Sequence, residues 1–260
     1  MKYSKKSLGQ NFLIDKNIIK KIVNSVNLKD KNIIEIGPGK AALTNEILKQ
    51  NPRSLKLIEK DNYLAQNLKS QFLDNKKIKI YNNDILDFDI EKIMQKNCII
   101  FGNLPYNISS QIFVKILKYK RWPPKFSDLI FMFQKELGDK IIGKFQSSNY
   151  GRLSILSDLR LKVFKKFNIS PNCFFPRPKI TSSLIHFKPK KSLSKIKSIE
   201  NLEKITNIIF SNKRKMINKN INKILSKNEI DKIANLNTSL RPSEIKPEIY
   251  YKIVEIIEKR

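Results

Sequence analysis

Strand-like runs alternate with helical patterns along most of the chain, and this alternation limits the folds that the sequence can adopt. The first run, 33–36, stops at Gly37-Pro38-Gly39, and a helix with apolar residues on one face follows it. Further strand-like segments recur at 55–59, 78–81, 98–101 and 129–133. Because strands that alternate with helices form βαβ units, the sequence predicts a doubly wound α/β domain with a parallel sheet.

The pattern changes towards the end of the chain. Two β-rich stretches, 161–169 and 180–187, are separated by a proline-rich turn, and we expect them to pair as a hairpin at the sheet edge. A polar, basic linker then leads into a segment where Ile and Leu recur at helical spacing. We therefore predict a catalytic α/β domain with a basic N-terminal arm over residues 1–189 and a small all-helical domain over 190–260.

The charge balance points to a polyanionic partner. Lys and Arg number 52 against 23 Asp and Glu, which gives a net charge of +29. The basic residues run through the whole chain instead of forming one amphipathic stripe, so nucleic acid is favoured over a membrane surface. A genome rich in Lys, Ile and Asn codons is the alternative source of this excess. Within the helical segment, 213–215 (Lys-Arg-Lys) is either a contact for a nucleic-acid backbone or a solvated helix face.

Several kinds of chemistry are disfavoured by what the chain lacks. No apolar stretch reaches the roughly 18 residues of a spanning helix, and the N-terminus has no secretory h-region. Two cysteines, Cys98 and Cys173, cannot form a zinc cage, and the one histidine, His186, is expected to be structural. We therefore expect a cytoplasmic protein in a reducing compartment, without a metal and without membrane attachment.

A glycine turn and two acids predict a nucleoside site. Gly37 and Gly39 lie between a strand and a helix, where they allow close approach of the backbone to a ligand, although such turns also serve packing alone. Glu59 ends the next strand, 20 residues after Gly39, where a carboxylate can accept from both ribose hydroxyls. Asp84 follows the third strand and can accept from an adenine amine, with Ile85 against the ring. An exposed loop acid and a turn-forming Asp are the alternatives.

The sign of the charges at this edge indicates which nucleoside is bound. Glu35, Glu59 and Asp84 all lie at or near the carboxyl ends of the predicted strands, where open α/β sheets bind ligands. S-adenosylmethionine (SAM) carries a positive sulfonium and no phosphate. An acidic pocket in a basic protein suits SAM better than it suits a nicotinamide dinucleotide.

The segment 103–106 (Asn-Leu-Pro-Tyr), after the fourth strand, carries the most specific signal. An exocyclic adenine amine is a poor nucleophile because its lone pair is delocalised into the ring. The side-chain carbonyl of Asn103 and the main-chain carbonyl of Leu104 can accept from its N–H groups and favour a pyramidal nitrogen. Pro105 would stiffen the turn, and Tyr106 would stack on the extruded base. The alternative is an ordinary Asn/Pro turn with a packed tyrosine.

A second aromatic candidate lies downstream, in the basic, proline-rich segment 174–179. Phe174 or Phe175 could close the other face of the adenine. A hydrophobic plug under the loop is the alternative.

Taken together, these motifs resemble the ribosomal RNA adenine dimethyltransferases, of the rRNA adenine N(6)-methyltransferase family. The resemblance runs through almost the whole chain and rests on 10–13, 35–39, Glu59, Asp84, 103–106, 174–179 and 240–242. It implies a Rossmann-like SAM-dependent methyltransferase sheet, with Asn11 and Leu13 helping to cover SAM and with Gly37, Glu59, Asp84 and Asn103 lining its site. Phe174 occupies the position that resembles the second stacking aromatic. Ala41 stands where many members have Gly, and we expect no loss of binding from it.

Within that family, the chain is most similar to the enzymes of the small subunit. This similarity implies dimethylation of two adjacent adenosines in the 3′-terminal hairpin loop of 16S ribosomal RNA, with a small-subunit precursor as partner and a monomeric enzyme. Three alternatives stay open: a 23S adenine dimethyltransferase of the resistance type, a non-catalytic RNA-binding assembly factor, and a nicotinamide oxidoreductase suggested only by the glycine turn.

Overall fold

A computed structural model describes residues 10–191 and 195–260 of the chain. Its strands are β1 (Phe12–Leu13), β2 (Asn32–Ile36), β3 (Ser54–Glu59), β4 (Ile78–Asn82), β5 (Cys98–Asn103), β6 (Phe126–Gln134), β7 (Leu161–Ile169), β8 (Phe174–Phe175) and β9 (Ser182–Pro189). Its helices are α1 (Lys16–Val23), α2 (Ala42–Lys49), α3 (Asn62–Gln71), α4 (Ser109–Leu117), α5 (Lys135–Ile141), α6 (Arg152–Arg160), α7 (Ile199–Ile209), α8 (Asn218–Ile221), α9 (Lys227–Asp231) and α10 (Pro247–Ile257).

Seven strands form the central sheet, in the order β4-β3-β2-β5-β6-β9-β7. The pairings among β2 to β6 are parallel, and β9 joins β6 antiparallel. Residues 33–36 of β2 are all buried, as expected for a parallel strand with helices over both faces of the sheet. The predicted α/β fold with a mostly parallel sheet is confirmed.

Helix α1 begins directly after its capping residue, Asp15. The Asp15 side chain accepts hydrogen bonds of 2.9 Å from the backbone N–H groups of Asn17 and Ile18, which satisfies two donors at the helix N-terminus. Ile19, Ile22 and Val23 are buried on its apolar face. The apolar face of helix α1 thereby packs in the same hydrophobic core as Leu13 of β1.

The proline-rich turn does more than connect the edge strands. Strands β7 and β9 are neighbours at the sheet edge, as predicted. The chain between them contains β8, which pairs antiparallel with β1 in a separate two-stranded sheet. In this pairing Phe12 lies opposite Phe175, and Leu13 lies opposite Phe174. The region around residues 10–13 is thereby tied to the turn.

One compact unit contains most of the central sheet, and its described residues are 10–116, Pro124–Gly138 and Val163–Pro189. Its core includes fully buried aromatic rings from α4, β6 and β9: Phe113, Phe131, Phe133 and Phe187. His186 is buried in the same unit, with Nε2 at 2.7 Å from an Asp128 carboxylate oxygen. These contacts give His186 the structural place predicted for it.

A second compact unit combines Leu117–Pro123, Asp139–Lys162 and Lys190–Arg260. Long-range hydrogen bonds hold these segments together: Tyr150 Oη donates to the Ile245 carbonyl at 2.8 Å, and Tyr251 Oη donates to the Ile155 carbonyl at 3.1 Å. Residues 195–260 contain helices and no strand in the described chain. The division at residue 189 between a catalytic and an RNA-binding domain stays a prediction.

Two absences apply to the part of the chain that the structure describes. None of its helices has both the length and the apolar character needed to cross a membrane. None of its His, Cys, Asp and Glu side chains form a group of three or more that could hold a metal ion.

Candidate functional site

A cavity opens at the carboxyl edge of the sheet, where the loops after β2, β3, β4 and β5 meet. Open α/β sheets bind their ligands at this edge. With the exception of Phe174, every residue predicted for the site lines this one cavity: Asn11, Leu13, Gly37, Gly39, Glu59, Asp84, Ile85, Asn103, Leu104, Pro105 and Tyr106. The structure thus brings together segments that are far apart in sequence.

The glycine turn after β2 has a conformation that only a small residue can adopt without strain. Gly37 and Gly39 both have positive φ, +68° and +56°. A Cβ on Gly39 would lie 2.9 Å from the Phe12 ring. Ala41 also has positive φ, 62°, and it is fully buried, so glycine would fit its backbone with less strain. The turn therefore leaves main-chain atoms accessible at the cavity wall.

Glu59 connects the end of β3 to that turn. Its Oε2 accepts a hydrogen bond of 3.1 Å from the Gly39 N–H, and its Oε1 accepts one of 2.9 Å from the Asp61 N–H. Burial raises the pKa of Glu59, and these backbone hydrogen bonds work against that rise. The carboxylate is thus held rigidly beside the glycine turn, with lone pairs left for a ligand.

Asp84 forms the next acidic wall of the cavity. It accepts hydrogen bonds from the Leu86 N–H at 2.9 Å and from Lys60 Nζ at 2.6 Å. Burial favours the neutral acid, but the hydrogen bond and charge of Lys60 outweigh it and lower the pKa of Asp84. Asp84 is therefore ionised at neutral pH. The part played by Lys60 was not predicted, since the pairing depends on the geometry of two neighbouring loops.

Asn103 lies at the end of β5 with a defined amide orientation. Its Nδ2 donates a hydrogen bond of 3.0 Å to the main-chain carbonyl of Asn11. This bond holds the amide nitrogen within the protein, so Oδ1 is the atom with which Asn103 could accept a hydrogen bond from a ligand in the cavity. Leu104 follows with its side chain packed beside Gly102, where a Cβ would lie 2.6 Å from the leucine. The turn after β5 is thus tightly packed.

Tyr106 is half-buried at the cavity, with its hydroxyl 2.5 Å from Ser182 Oγ at the start of β9. Its main-chain carbonyl accepts a hydrogen bond of 3.2 Å from Ser109 Oγ. Burial raises the pKa of Tyr106, although the Ser182 hydrogen bond opposes this. The phenol is therefore neutral, and hydrogen bonds hold Tyr106 at its hydroxyl and at its main-chain carbonyl.

The structure does not bring Phe174 to the cavity. Its ring is 2% exposed and belongs to the hydrophobic core with Leu13, its partner across the β1–β8 pair. Successive strand residues face opposite sides, so the adjacent Phe175 points outwards and is 44% exposed. In this structure Phe174 therefore packs in the core beneath β1, and the stacking role expected of it stays a prediction.

Two further cavity residues were not among those predicted to bind the ligand. Phe12 packs on Gly39, and the Lys40 ammonium lies 4.8 Å from the centroid of its ring. Glu35 is 1% exposed and accepts a hydrogen bond of 2.7 Å from Thr44 Oγ1. Burial raises the pKa of Glu35 to about 7, with a further contribution from the charge of Glu59. The strand-end position of Glu35 was visible in the sequence, but its burial was not.

Crystal structures of two proteins share this fold. A dimethyladenosine transferase from Plasmodium falciparum aligns with a TM-score of 0.76 at 23% identity, covering 95% of this chain and 98% of that one. The 23S rRNA methyltransferase ErmE aligns with a TM-score of 0.68 at 21% identity, covering 95% of this chain and all of that one (100%). These likenesses establish the Rossmann-like methyltransferase fold.

Sequence relatives identify the family. Residues 1–259 match the family model described as ribosomal RNA adenine dimethylase. A ribosomal RNA small subunit methyltransferase A from Pelagibacter ubique is 46% identical over 256 residues, which cover 98% of this chain and 97% of that protein. A protein of the same name from Malacoplasma penetrans is 38% identical over 96% of this chain and 91% of its own length. The chain is therefore a methyltransferase and belongs to the ribosomal RNA adenine dimethylase family.

Proposed function

We propose that this chain transfers methyl groups from SAM to the exocyclic amine of adenosine in small-subunit ribosomal RNA. The orientation of the Asn103 amide carries the proposal, because it presents a hydrogen-bond acceptor at a cavity whose other walls suit a nucleoside. The names of the relatives from Pelagibacter ubique and Malacoplasma penetrans support the choice of RNA.

The residues that line the cavity support SAM as the donor. Gly37 and Gly39 carry no side chain, and a Cβ at Gly39 would meet the Phe12 ring at 2.9 Å, so glycine keeps this turn compact beside the cavity. Glu59 would accept from ribose hydroxyls, and Asp84 would accept from the adenine amine, with Ile85 against the ring. Asn11 and Leu13 would cover the ligand from the β1 side. When bound, SAM supplies an electrophilic methyl group on a positive sulfonium.

The last residue of β5 and the turn that follows it would act on the target adenine. Asn103 Oδ1 and the Leu104 carbonyl would accept hydrogen bonds from the two N–H groups of its amine and free the nitrogen lone pair. Pro105 fixes the turn that carries both acceptors. Tyr106, with its hydroxyl held by Ser182, would stack on the extruded base.

Orientation and hydrogen bonding account for the rate without a strong general base. A nitrogen–carbon bond forms as the carbon–sulfur bond breaks, and the methylated nitrogen then loses a proton to water. The chain contributes by holding the amine close to the donor and by placing acceptors where positive charge develops on nitrogen. A second cycle on the same nitrogen gives the dimethyl product.

The substrate that we propose is the pair of adjacent adenosines in the 3′-terminal hairpin loop of 16S ribosomal RNA, within a small-subunit precursor. The basic segment 190–260, including 213–215, would hold the RNA backbone. The net charge of +29 supports a polyanionic substrate of this size.

A labelling experiment tests the proposal. Purified protein is incubated with methyl-labelled SAM and with small or large ribosomal subunits from cells that lack the corresponding modification. We expect label in small-subunit RNA. Label confined to the large subunit would identify a 23S enzyme instead. Binding of SAM without any transfer would identify a non-catalytic assembly factor.

A further inference from the structure

The segment 175–182 begins and ends beside residues that line the cavity. At its start, Phe175 lies opposite Phe12 in the β1–β8 pair, and Phe12 lines the cavity. At its end, Ser182 Oγ lies 2.5 Å from the hydroxyl of Tyr106, which also lines the cavity. The segment is therefore fixed at both ends to residues that line the cavity.

Side chains alternate in exposure along this segment. Phe175, Arg177 and Lys179 are exposed, whereas Pro178 is buried and Pro176 is half-buried. The two prolines fix φ and stiffen the backbone between the exposed residues. Along the sequence, the exposed side chains thus form a row of one aromatic ring and two cations.

These three side chains are used neither in the hydrophobic core nor in ion pairs within the described residues. Phe174, not Phe175, fills the core position in β8, and Phe175 is left 44% exposed. Arg177 and Lys179 have no ion-pair partner among the residues in 10–191 and 195–260. A ring followed by unpaired cations on a stiff support is the combination with which proteins bind a single strand of nucleic acid.

We propose that this row holds the RNA strand beside the target nucleotide: Phe175 stacks on an unpaired neighbouring base, and Arg177 and Lys179 bind phosphates of the same strand. The inference rests on the proposed function, since it takes RNA to be the substrate of the adjoining cavity. Aromatic stacking tolerates any base, so the row supplies affinity and register without selecting the sequence.

Phe175→Ala tests the stacking contact, with Phe164→Ala as the matched control. Phe164 is also exposed, at 59%, and lies on the edge strand β7. The probe is a fluorescently labelled fragment of unmethylated 16S RNA that ends in the 3′ hairpin, and anisotropy gives its Kd. We expect Phe175→Ala to weaken RNA binding about 5- to 150-fold and Phe164→Ala to leave it unchanged. The Kd for SAM stays at the wild-type value in both.

The double variant Arg177→Ala/Lys179→Ala tests the phosphate contacts. Its control, Arg53→Ala/Lys76→Ala, removes the same charge from exposed positions just before β3 and β4. These positions lie at the amino ends of the two strands, whereas the cavity lies at the carboxyl ends. The slope of log Kd against log salt should become shallower by about 1.4 in the first variant, because each lost phosphate contact on a single strand removes about 0.7. The control keeps the wild-type slope.

Equal RNA affinities for the two Phe variants, or equal slopes for the two charge variants, would overturn the proposal. A defect seen with whole small subunits but absent with naked RNA would assign the row to a protein partner and would also overturn it. RNA binding is measured here without methyl transfer. Failure of the proposed function would appear separately, as absence of SAM binding or of methylation by the wild-type chain.

Discussion

The Asn103 side chain donates a hydrogen bond of 3.0 Å to the main-chain carbonyl of Asn11, a residue 92 positions earlier in the chain. This contact joins the end of β5 to the residue before β1. It also holds the amide nitrogen of Asn103 within the protein, and the proposed mechanism uses the side-chain oxygen as the acceptor in the cavity. The proposed chemistry depends on this relationship.

Asn103→Ala removes the acceptor that we propose frees the adenine lone pair. We expect kcat to fall at least about 100-fold, the usual effect of losing one preorganised group that stabilises developing charge. Stability should fall by only about 1 kcal/mol, the value of a single hydrogen bond. Single-turnover methyl transfer and urea unfolding measure the two effects, with the exposed Asn172→Ala as control. Near-normal transfer by Asn103→Ala would remove the residue from the mechanism.

Two substitutions at Tyr106 distinguish base stacking by its ring from the hydrogen bond of its hydroxyl. Tyr106→Phe keeps the ring and loses the contact with Ser182, so we expect a change of only a few-fold in methyl transfer. Tyr106→Ala loses about 1–3 kcal/mol of base stacking and should raise the RNA KM about 5- to 150-fold. The comparison is made by steady-state kinetics at saturating SAM. Equal defects in the two variants would show that the hydroxyl, not the ring, is the functional group.

Glu59→Gln tests the ribose contact. The substitution preserves shape but removes the charge, and charged hydrogen bonds contribute about 1.5–3 kcal/mol, so the Kd for SAM should rise about 10- to 150-fold. Isothermal titration calorimetry measures it. The exposed Glu248→Gln serves as a control for the lost charge. An unchanged Kd in Glu59→Gln would place the ribose elsewhere.

The raised pKa of Glu35 predicts that the stability of the ligand-free protein depends on pH. Burial raises its pKa from 4.5 to about 7, so the folded protein binds this proton more tightly than the unfolded chain does. Stability should therefore be full below pH 4.5 and should decline as the pH rises through about 7. The total loss is roughly 3 kcal/mol at 1.36 kcal/mol per pKa unit.

Glu35→Gln stays neutral and can still accept from Thr44, so it should escape this decline. Urea unfolding across the pH range compares the variant with the wild type. Their difference in unfolding free energy is expected to grow between pH 4.5 and pH 7 and then to level off. A difference that does not vary with pH would mean that Glu35 ionises normally in the folded chain.

Much of the fold and most of the site could be predicted because local signals determine them. Buried apolar runs ending at Gly or Asn identify the strands, and parallel strands bring their carboxyl ends to one edge. Glu59, Asp84 and Asn103 follow three such strands, which is why residues so far apart in sequence could be predicted to share a cavity. The N-cap at Asp15 is similarly local.

What could not be predicted depends on long-range pairing. The residue pattern alone does not distinguish Phe174 from Phe175, although the family resemblance favours Phe174 for stacking, and only the register of β8 against β1 decides which ring is buried. The extent of the second compact unit likewise depends on contacts such as Tyr150 with Ile245, which join residues 95 apart. The salt bridge between Lys60 and Asp84 arises from two neighbouring loops.

The identity and position of the methylated atom test the central claim most directly. Ribosomal RNA treated with the purified protein and SAM is digested, and nucleoside mass spectrometry with sequence mapping locates the methyl groups. The account predicts N(6)-dimethyladenosine at two adjacent positions in the 3′-terminal hairpin loop of 16S RNA, and none with Asn103→Ala. Methyl groups on a ring nitrogen, on another base, or unaffected by the loss of Asn103 would contradict it.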